Sequence, residues 1–376
     1  MTSSSPAFLP VDKLVRPMIP QYRYFPPTLT DVPLAAAAGD SRRPSPQRLV
    51  VDTDPGVDDH MALLFLLGRK EDVIIEAITV VFGNHQSIDV LVRNVCRLLS
   101  LCGRTDIPVY VGCGKPMLGA FTGQVGQRIH GDIDAIGNQF DADEVIDMSM
   151  VQRHENAAHF LGRISRENPG EITLLTLGPL TNVASAILAE NGQLPFQAMV
   201  VMGGAIDERG NKTPAAEANF HNDPHAAKIV CTAPPPPLKG EGKGEQKGGA
   251  ACVVMLVHLK LTRQMPMTPS IKEALPPYIL HGVEHYSAVV AALGGHDPVL
   301  HDPTAALVAV HPELFAGFMV PVDVEVAGEL TMGMSIADFH QMWQHELPFC
   351  LVVDHVLDVE RALAILAEGM SAAWKR

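Results

Sequence analysis

The chain has 376 residues, of which 47% are hydrophobic and 19% charged, and its formal net charge is −14. That length and apolar content suffice for a large core, in one α/β domain or in two. The acidic balance argues against nucleic acid or an anionic membrane as partner, and no uninterrupted apolar stretch is long enough to span a bilayer.

Residues 1–47 are rich in Ser, Pro and Ala, show no sustained period, and read as a loosely ordered N-terminal extension. The extension lacks a charged head followed by an apolar signal core. Its several Arg leave an organelle transit role open, while Asp12, Asp31 and Asp40 count against one. A single large catalytic domain is expected over residues 48–376.

The first strand of that domain is the apolar run Leu49-Val50-Val51, and it leads directly into Asp52-Thr53-Asp54-Pro55-Gly56-Val57-Asp58-Asp59, four carboxylates in eight residues. Asp is depleted in strands, so Asp52 and Asp54, two apart and on one face, require a partner for their charge. Pro55-Gly56 turns the chain. Asp58 and Asp59 then stand where the helical run from His60 to Leu67 begins, and anions are favoured at a helix N-terminus. An N-cap with a solvated acidic turn explains Asp58 or Asp59 alone but not all four. Oxygen-only ligands suit calcium or magnesium rather than zinc.

Further along, strand-like runs at Val73 to Val81, Ile172 to Leu177, Ala198 to Met202 and Cys252 to Val257 alternate with helical patterns. The alternation predicts an α/β fold with an open, mostly parallel, doubly wound sheet of Rossmann-like kind. In such a sheet ligands bind beyond the carboxyl ends of the strands, and those junctions carry Gly83-Asn84, Leu177-Gly178-Pro179-Leu180-Thr181-Asn182, and Met202-Gly203-Gly204 followed by Asn211 and Ala216-Glu217-Ala218-Asn219. Any one Gly-rich junction can be turn geometry alone; the set on one side of one sheet points to a site. Residues 234–249 are rich in Pro, Gly and Lys, cannot form a core, and read as a flexible surface insertion. Tyr278 and Tyr286 lie in a helical segment, where aromatic residues more often serve the core than a ligand. His301-Asp302-Pro303 enters a helix and offers a carboxylate for a cation and an imidazole that exchanges protons near neutral pH; the similar His296-Asp297-Pro298 reads as a loop element. Six cysteines show no paired metal spacing and no dense framework, and read as reduced thiols of a cytoplasmic protein.

The ordered set of Val51 to Asp59 with Ala62-Leu63, Gly83-Asn84, Leu177 to Ala184, Met202-Gly203-Gly204, Ala216 to Asn219 with Asp223-Pro224, His301-Asp302-Pro303, and Val324-Glu325 with Gly328-Glu329-Leu330 resembles the inosine-uridine-preferring nucleoside hydrolase family. The resemblance runs from about residue 48 to the C-terminal region. It implies a calcium-dependent N-ribohydrolase that splits ribonucleosides of the uridine or inosine type into ribose and free base, in nucleoside salvage or catabolism, working as a homodimer or homotetramer.

Carried across by motif, Asp54, Asp59 and Asp302 resemble the carboxylate ligands of Ca2+, with the Leu177 carbonyl a further ligand. Asp54 also matches the base that activates the attacking water. Asp58, Asn84, Asn211, Glu217 and Asn219 match residues that hold the ribose hydroxyls, and His301 matches the position beside the departing base. That position is Trp in the purine-specific branch, so His favours the branch that accepts inosine, uridine or other pyrimidine nucleosides. His130-Gly131 resembles a second His near the base, although the following Asp132-Ile133-Asp134-Ala135-Ile136-Gly137 departs from the shorter family segment. Two readings compete: a haloacid-dehalogenase-type phosphatase, which leaves Asp58-Asp59 and His301-Asp302 without a role, and a nucleoside- or calcium-binding relative without turnover, for which a disrupted motif would be expected.

Overall fold

The computed structural model describes residues 46–120, 128–140, 144–233, 252–292, 298–340, 342–343 and 347–375, and the backbone of 32–33. The 234–249 insertion, the His296-Asp297 pair and most of the N-terminal extension lie outside the described residues.

The strands are β1 (Val32–Pro33), β2 (Gln47–Thr53), β3 (Val73–Val80), β4 (Val109–Val111), β5 (Val151–Gln152), β6 (Ile172–Thr176), β7 (Ala198–Met202), β8 (Val253–Val257), β9 (Phe315–Val324), β10 (Ser335–Ala337) and β11 (Phe349–Val356). They form one sheet in the order β1-β9-β11-β8-β7-β6-β2-β3-β4-β5, with β10 on β9. From β11 through to β5 every pairing is parallel. The partners of β9, namely β1, β10 and β11, are all antiparallel to it. The expected open and mostly parallel α/β sheet is therefore present, with an antiparallel margin that the alternation of strands and helices did not announce.

The helices are α1 (Val57–Gly68), α2 (Ile88–Leu101), α3 (Ala157–Glu167), α4 (Thr181–Ala189), α5 (Ala218–Asn222), α6 (Pro224–Thr232), α7 (Leu259–Thr262), α8 (Pro269–Ala274), α9 (Pro277–Ala292), α10 (His301–Val310) and α11 (Val359–Trp374). They cover both faces. Leu49 and Val51 of β2 enter the core under α1, α2, α10 and α11, while Val50 enters the core under α3, α4 and α6. Burial on both sides explains why these strands are nearly continuous apolar runs. It also explains α1, whose residues from Asp59 to Leu67 are all buried and which is apolar around its circumference. At its end, α1 meets α11 backbone to backbone: a Cβ on Gly68 would stand 1.8 Å from the Gly369 carbonyl oxygen.

β2 lies between β3, which follows it in the chain, and β6, after which β7 and β8 run outward on the opposite side. The direction of winding reverses there, and the carboxyl end of β2 opens into the crevice where such sheets bind ligands. Asp54 is the first residue but one beyond Val51-Asp52 and stands at that point.

Candidate active site

The acidic turn is shaped by close approach. Asp54 is buried, its Oδ2 accepts a bond from the Asn84 amide N (2.8 Å), and its backbone carbonyl accepts one from Asn84 Nδ2 (2.9 Å). Two strand-end glycines flank the carboxylate: a Cβ on Gly83 would lie 1.9 Å from Oδ2, and one on Gly178 2.7 Å from Oδ1. Asp59 accepts from Thr53 Oγ1 (2.5 Å), from the Gly56 N–H (3.0 Å) and from Asn84 Nδ2 (3.1 Å). Asn84 thus braces Asp54 against Asp59.

From the first turn of α10, Asp302 joins this group, and the carboxylate oxygens of Asp58, Asp59 and Asp302 lie within 4.8 Å of one another. Asp58, expected at the sugar, is a member of this triplet, and Asp54, expected on the metal, stands beside it. Burial, then the charges of Asp59 and Asp58, push the Asp54 carboxyl well above the usual range. Burial followed by the charges of Asp58, Asp59 and Asp54 does the same to Asp302, and Asp58 is pushed up to about 7 by burial and Asp59. Among the described residues no Lys, Arg or His forms an ion pair with any of the four. Buried charges of one sign need a counter-charge or protons, and an all-oxygen donor set fits a hard divalent cation. Asp52 is different: its Oδ1 accepts from Thr79 Oγ1 (2.5 Å) and Asn182 Nδ2 (2.8 Å), so it ties β2 to β3 and α4 inside the sheet.

On the opposite flank, the Leu177 carbonyl follows β6 and accepts from Asn219 Nδ2 (2.8 Å), which also reaches the Met202 carbonyl (3.2 Å). Glu217 is buried and caps α5; its carboxylate accepts from the N–H groups of Gly204 (3.1 Å), Asn219 (2.8 Å) and Phe220 (3.1 Å). Burial pushes its carboxyl up to about 7. Asn211 is exposed, and its Oδ1 accepts from the Ala218 N–H (2.9 Å), which fastens the preceding loop to the start of α5.

His130 is buried, and its Nδ1 accepts from the Val57 N–H at 3.1 Å. That bond requires the neutral ring, and burial with the nearby His301, His285 and His60 pushes the imidazole down to about 3. Gly56 makes room for it: a Cβ there would lie 2.6 Å from both His130 Nδ1 and Asn84 Nδ2. Tyr286 of α9 stands edge-on to His130, ring centroids 5.3 Å apart. It also lines a small cleft beside Asp58, with Val57, Met61, Met267, Val283, Pro298 and Val299. Tyr278 is not among the residues lining that cleft, and its ring stands edge-on to His60 and Phe140. His301 is half-buried at the start of α10, its Nδ1 2.8 Å from Thr262 Oγ1, and burial followed by the Arg263 charge pushes it down to about 4.

Three polar residues near this site were missed from sequence. Asn94 and Asp134 are buried, and His85 bridges two loops, accepting from the Ser87 N–H (3.0 Å) on Nδ1 and approaching the Asp132 carbonyl (3.1 Å) through Nε2. A signal for Asn94 did exist: it interrupts the apolar stripe of Leu91, Val95 and Leu98 on α2.

Known proteins share this arrangement of elements. The family model described as inosine-uridine preferring nucleoside hydrolase matches residues 49–364. A probable uridine nucleosidase 2 of Oryza sativa subsp. japonica is 30% identical over 355 residues, 90% of this chain and 98% of the relative. The inosine-uridine preferring nucleoside hydrolase of Crithidia fasciculata is 30% identical over 308 residues, 78% of this chain and 88% of the relative. Among solved structures, a plant nucleoside hydrolase, the PpNRh1 enzyme, superimposes with a TM-score of 0.73 at 28% identity, covering 87% of this chain and 99% of its own.

Proposed function

The chain belongs to the inosine-uridine preferring nucleoside hydrolase family of N-glycosidases, and from that membership we propose a calcium-dependent enzyme that splits uridine- and inosine-type ribonucleosides into ribose and free base, in nucleoside salvage or catabolism. The observation that carries the calcium reading is the triplet Asp58, Asp59 and Asp302 with Asp54 beside it, at the reversal point of the sheet and with no ion pair to a Lys, Arg or His among the described residues. The names of the rice and protozoan relatives support the substrate class.

Asp54, Asp59, Asp302 and the Leu177 carbonyl would hold the ion. When bound, calcium would supply Lewis-acid chemistry that makes the attacking water more acidic. Asp54, beside the ion as both ligand and base, would take the proton of the attacking water. Asp58 and Asn84 face the sugar from the acidic turn, and Asn211, Glu217 and Asn219 from the opposite flank. Their acidic and amide oxygens stabilise the oxocarbenium character that develops on ribose as the glycosidic bond breaks.

The base leaves poorly as an anion, and His130 and His301 stand on its side. His301 is neutral at pH 7, so donation needs hydrogen on Nε2. The Thr262 hydroxyl carries one hydrogen and reaches both His301 Nδ1 (2.8 Å) and the Leu259 carbonyl (3.2 Å), and the tautomer with hydrogen on Nε2 is the one in which it donates to Nδ1. Six free thiols support a cytoplasmic location, and exposed Met319, Phe339 and Phe349 around the antiparallel margin support a homo-oligomer.

A panel of ribonucleosides, run beside phosphomonoesters, tests the reading. Ribose should appear from uridine or inosine in calcium. No ribose from any ribonucleoside, or phosphate from the esters instead, would refute it.

A further inference from the structure

The segment that carries His130 is folded around a single carboxylate. Asp134 Oδ1 accepts from the N–H groups of Ile136 (2.7 Å) and Asn138 (2.8 Å), and Oδ2 from those of Gln139 (2.6 Å) and Phe140 (2.9 Å). Ala135 and Asn138 take positive φ of 59° and 61°, a conformation uncommon for residues with a Cβ, though less so for Asn than for Ala. The four bonds to Asp134 hold these turns, so the shape of residues 131–140 depends on where Asp134 itself is held.

Among the described residues, two links join this segment to the acidic turn. One is His130, seated on Gly56 and accepting from the Val57 N–H. The other is indirect. Asn94 of α2 is 1% exposed, and its Nδ2 donates both to the Pro55 carbonyl (3.0 Å) and to the Asp134 carbonyl (2.7 Å). Its Oδ1 accepts from Arg97 Nη1 (3.0 Å). An asparagine on a buried apolar stripe costs stability unless its polar atoms are bonded, and here the two amide hydrogens are divided between two halves of the site. Pro55 directly follows Asp54, and Asp134 lies four residues beyond His130.

We propose that Asn94 is a positioning residue, whose side-chain amide fixes the register of the His130 segment against the acidic turn and so sets the distance between the base side and the sugar side of the site. The inference rests on the nucleoside hydrolase reading. Asn94 does not touch substrate; it acts through His130. A loop free to shift by an ångström would misplace that ring, and displacements of this size cost up to about 100-fold in rate.

The test is a double-mutant cycle. Wild type, Asn94→Ala, His130→Ala and the double variant are assayed on uridine in calcium, and amide hydrogen exchange is followed over residues 131–140. Asn94→Ala should lower kcat/KM by about 10- to 100-fold, with most of the loss in kcat, and the double variant should fall no further than His130→Ala alone. The amides bonded to Asp134 should exchange at least about tenfold faster in Asn94→Ala while β2 and β6 keep their protection. Additive losses, or unchanged exchange in the segment, would overturn the proposal. If Asn94→Ala does not fold, Asn94→Ser, which keeps one donor, should show the same non-additivity at smaller amplitude. Wild-type protein that releases no ribose refutes the hydrolase reading instead, and the exchange experiment still decides whether Asn94 holds the segment.

Discussion

At the scale of single residues, the site is a set of close approaches that only particular side chains permit. Asp54 fits because Gly83 and Gly178 lack a Cβ, and His130 fits because Gly56 does. Replacing Asp54 by Ala removes a proposed ligand and the proposed base together, so kcat should fall by about 10³-fold or more. It also relieves repulsion among buried carboxylates, so the thermal midpoint in chelator should hold or rise; near-normal turnover would contradict the dual role.

His60 gives a pH signature. It is fully buried, its Nδ1 lies 2.6 Å from the Gly56 carbonyl, and burial pushes it down to about 4. Its folded pKa lies below the unfolded value, so its contribution is complete above pH 6.5 and is lost as pH falls towards 4. Wild type should lose about 2 kcal/mol more than His60→Asn between pH 7 and pH 5. The carboxylates are common to both proteins, so the difference isolates His60. Equal losses in denaturant titrations at the two pH values would show that the ring does not titrate with folding.

At the scale of elements, the strand-to-helix junctions were legible because each puts Gly, Asn or Asp directly after an apolar run, a combination that neither a strand nor a helix wants. The α10 entry at His301-Asp302 was legible for the same reason. What stayed hidden depends on partners far along the chain. Asn94 meets Pro55 and Asp134 across 39 and 40 residues, and no local pattern announces that pairing. The 131–140 segment owes its shape to one side chain bonding its own backbone, which sequence shows only as an unfamiliar insertion. The margin around β9 was equally hidden, since parallel and antiparallel partners look alike in an apolar run. Close helix contact is a further element-scale device: Gly68→Ala would drive a Cβ into the Gly369 carbonyl and force α1 and α11 apart. Overpacking of this kind costs about 1–3 kcal/mol, so calorimetry should show a thermal midpoint lower by several degrees. An unchanged midpoint would mean that the two helices separate freely.

At the scale of the whole molecule, the sheet supplies one thing that no single element can, a point where winding reverses and strand ends from both directions face one crevice. β2 brings Asp54, Asp58 and Asp59 to it, β3 brings Asn84, β6 the Leu177 carbonyl, and α10 returns Asp302 from about 250 residues away in the chain. The cost of collecting so much negative charge in a buried place is what the proposed cation offsets, so metal and activity should rise and fall together. The most direct measurement is ribose release from uridine by wild-type protein before chelation, after exhaustive chelation, and after calcium is restored. Turnover should be lost on chelation and return with calcium; turnover that persists unchanged in the chelated protein would refute calcium dependence.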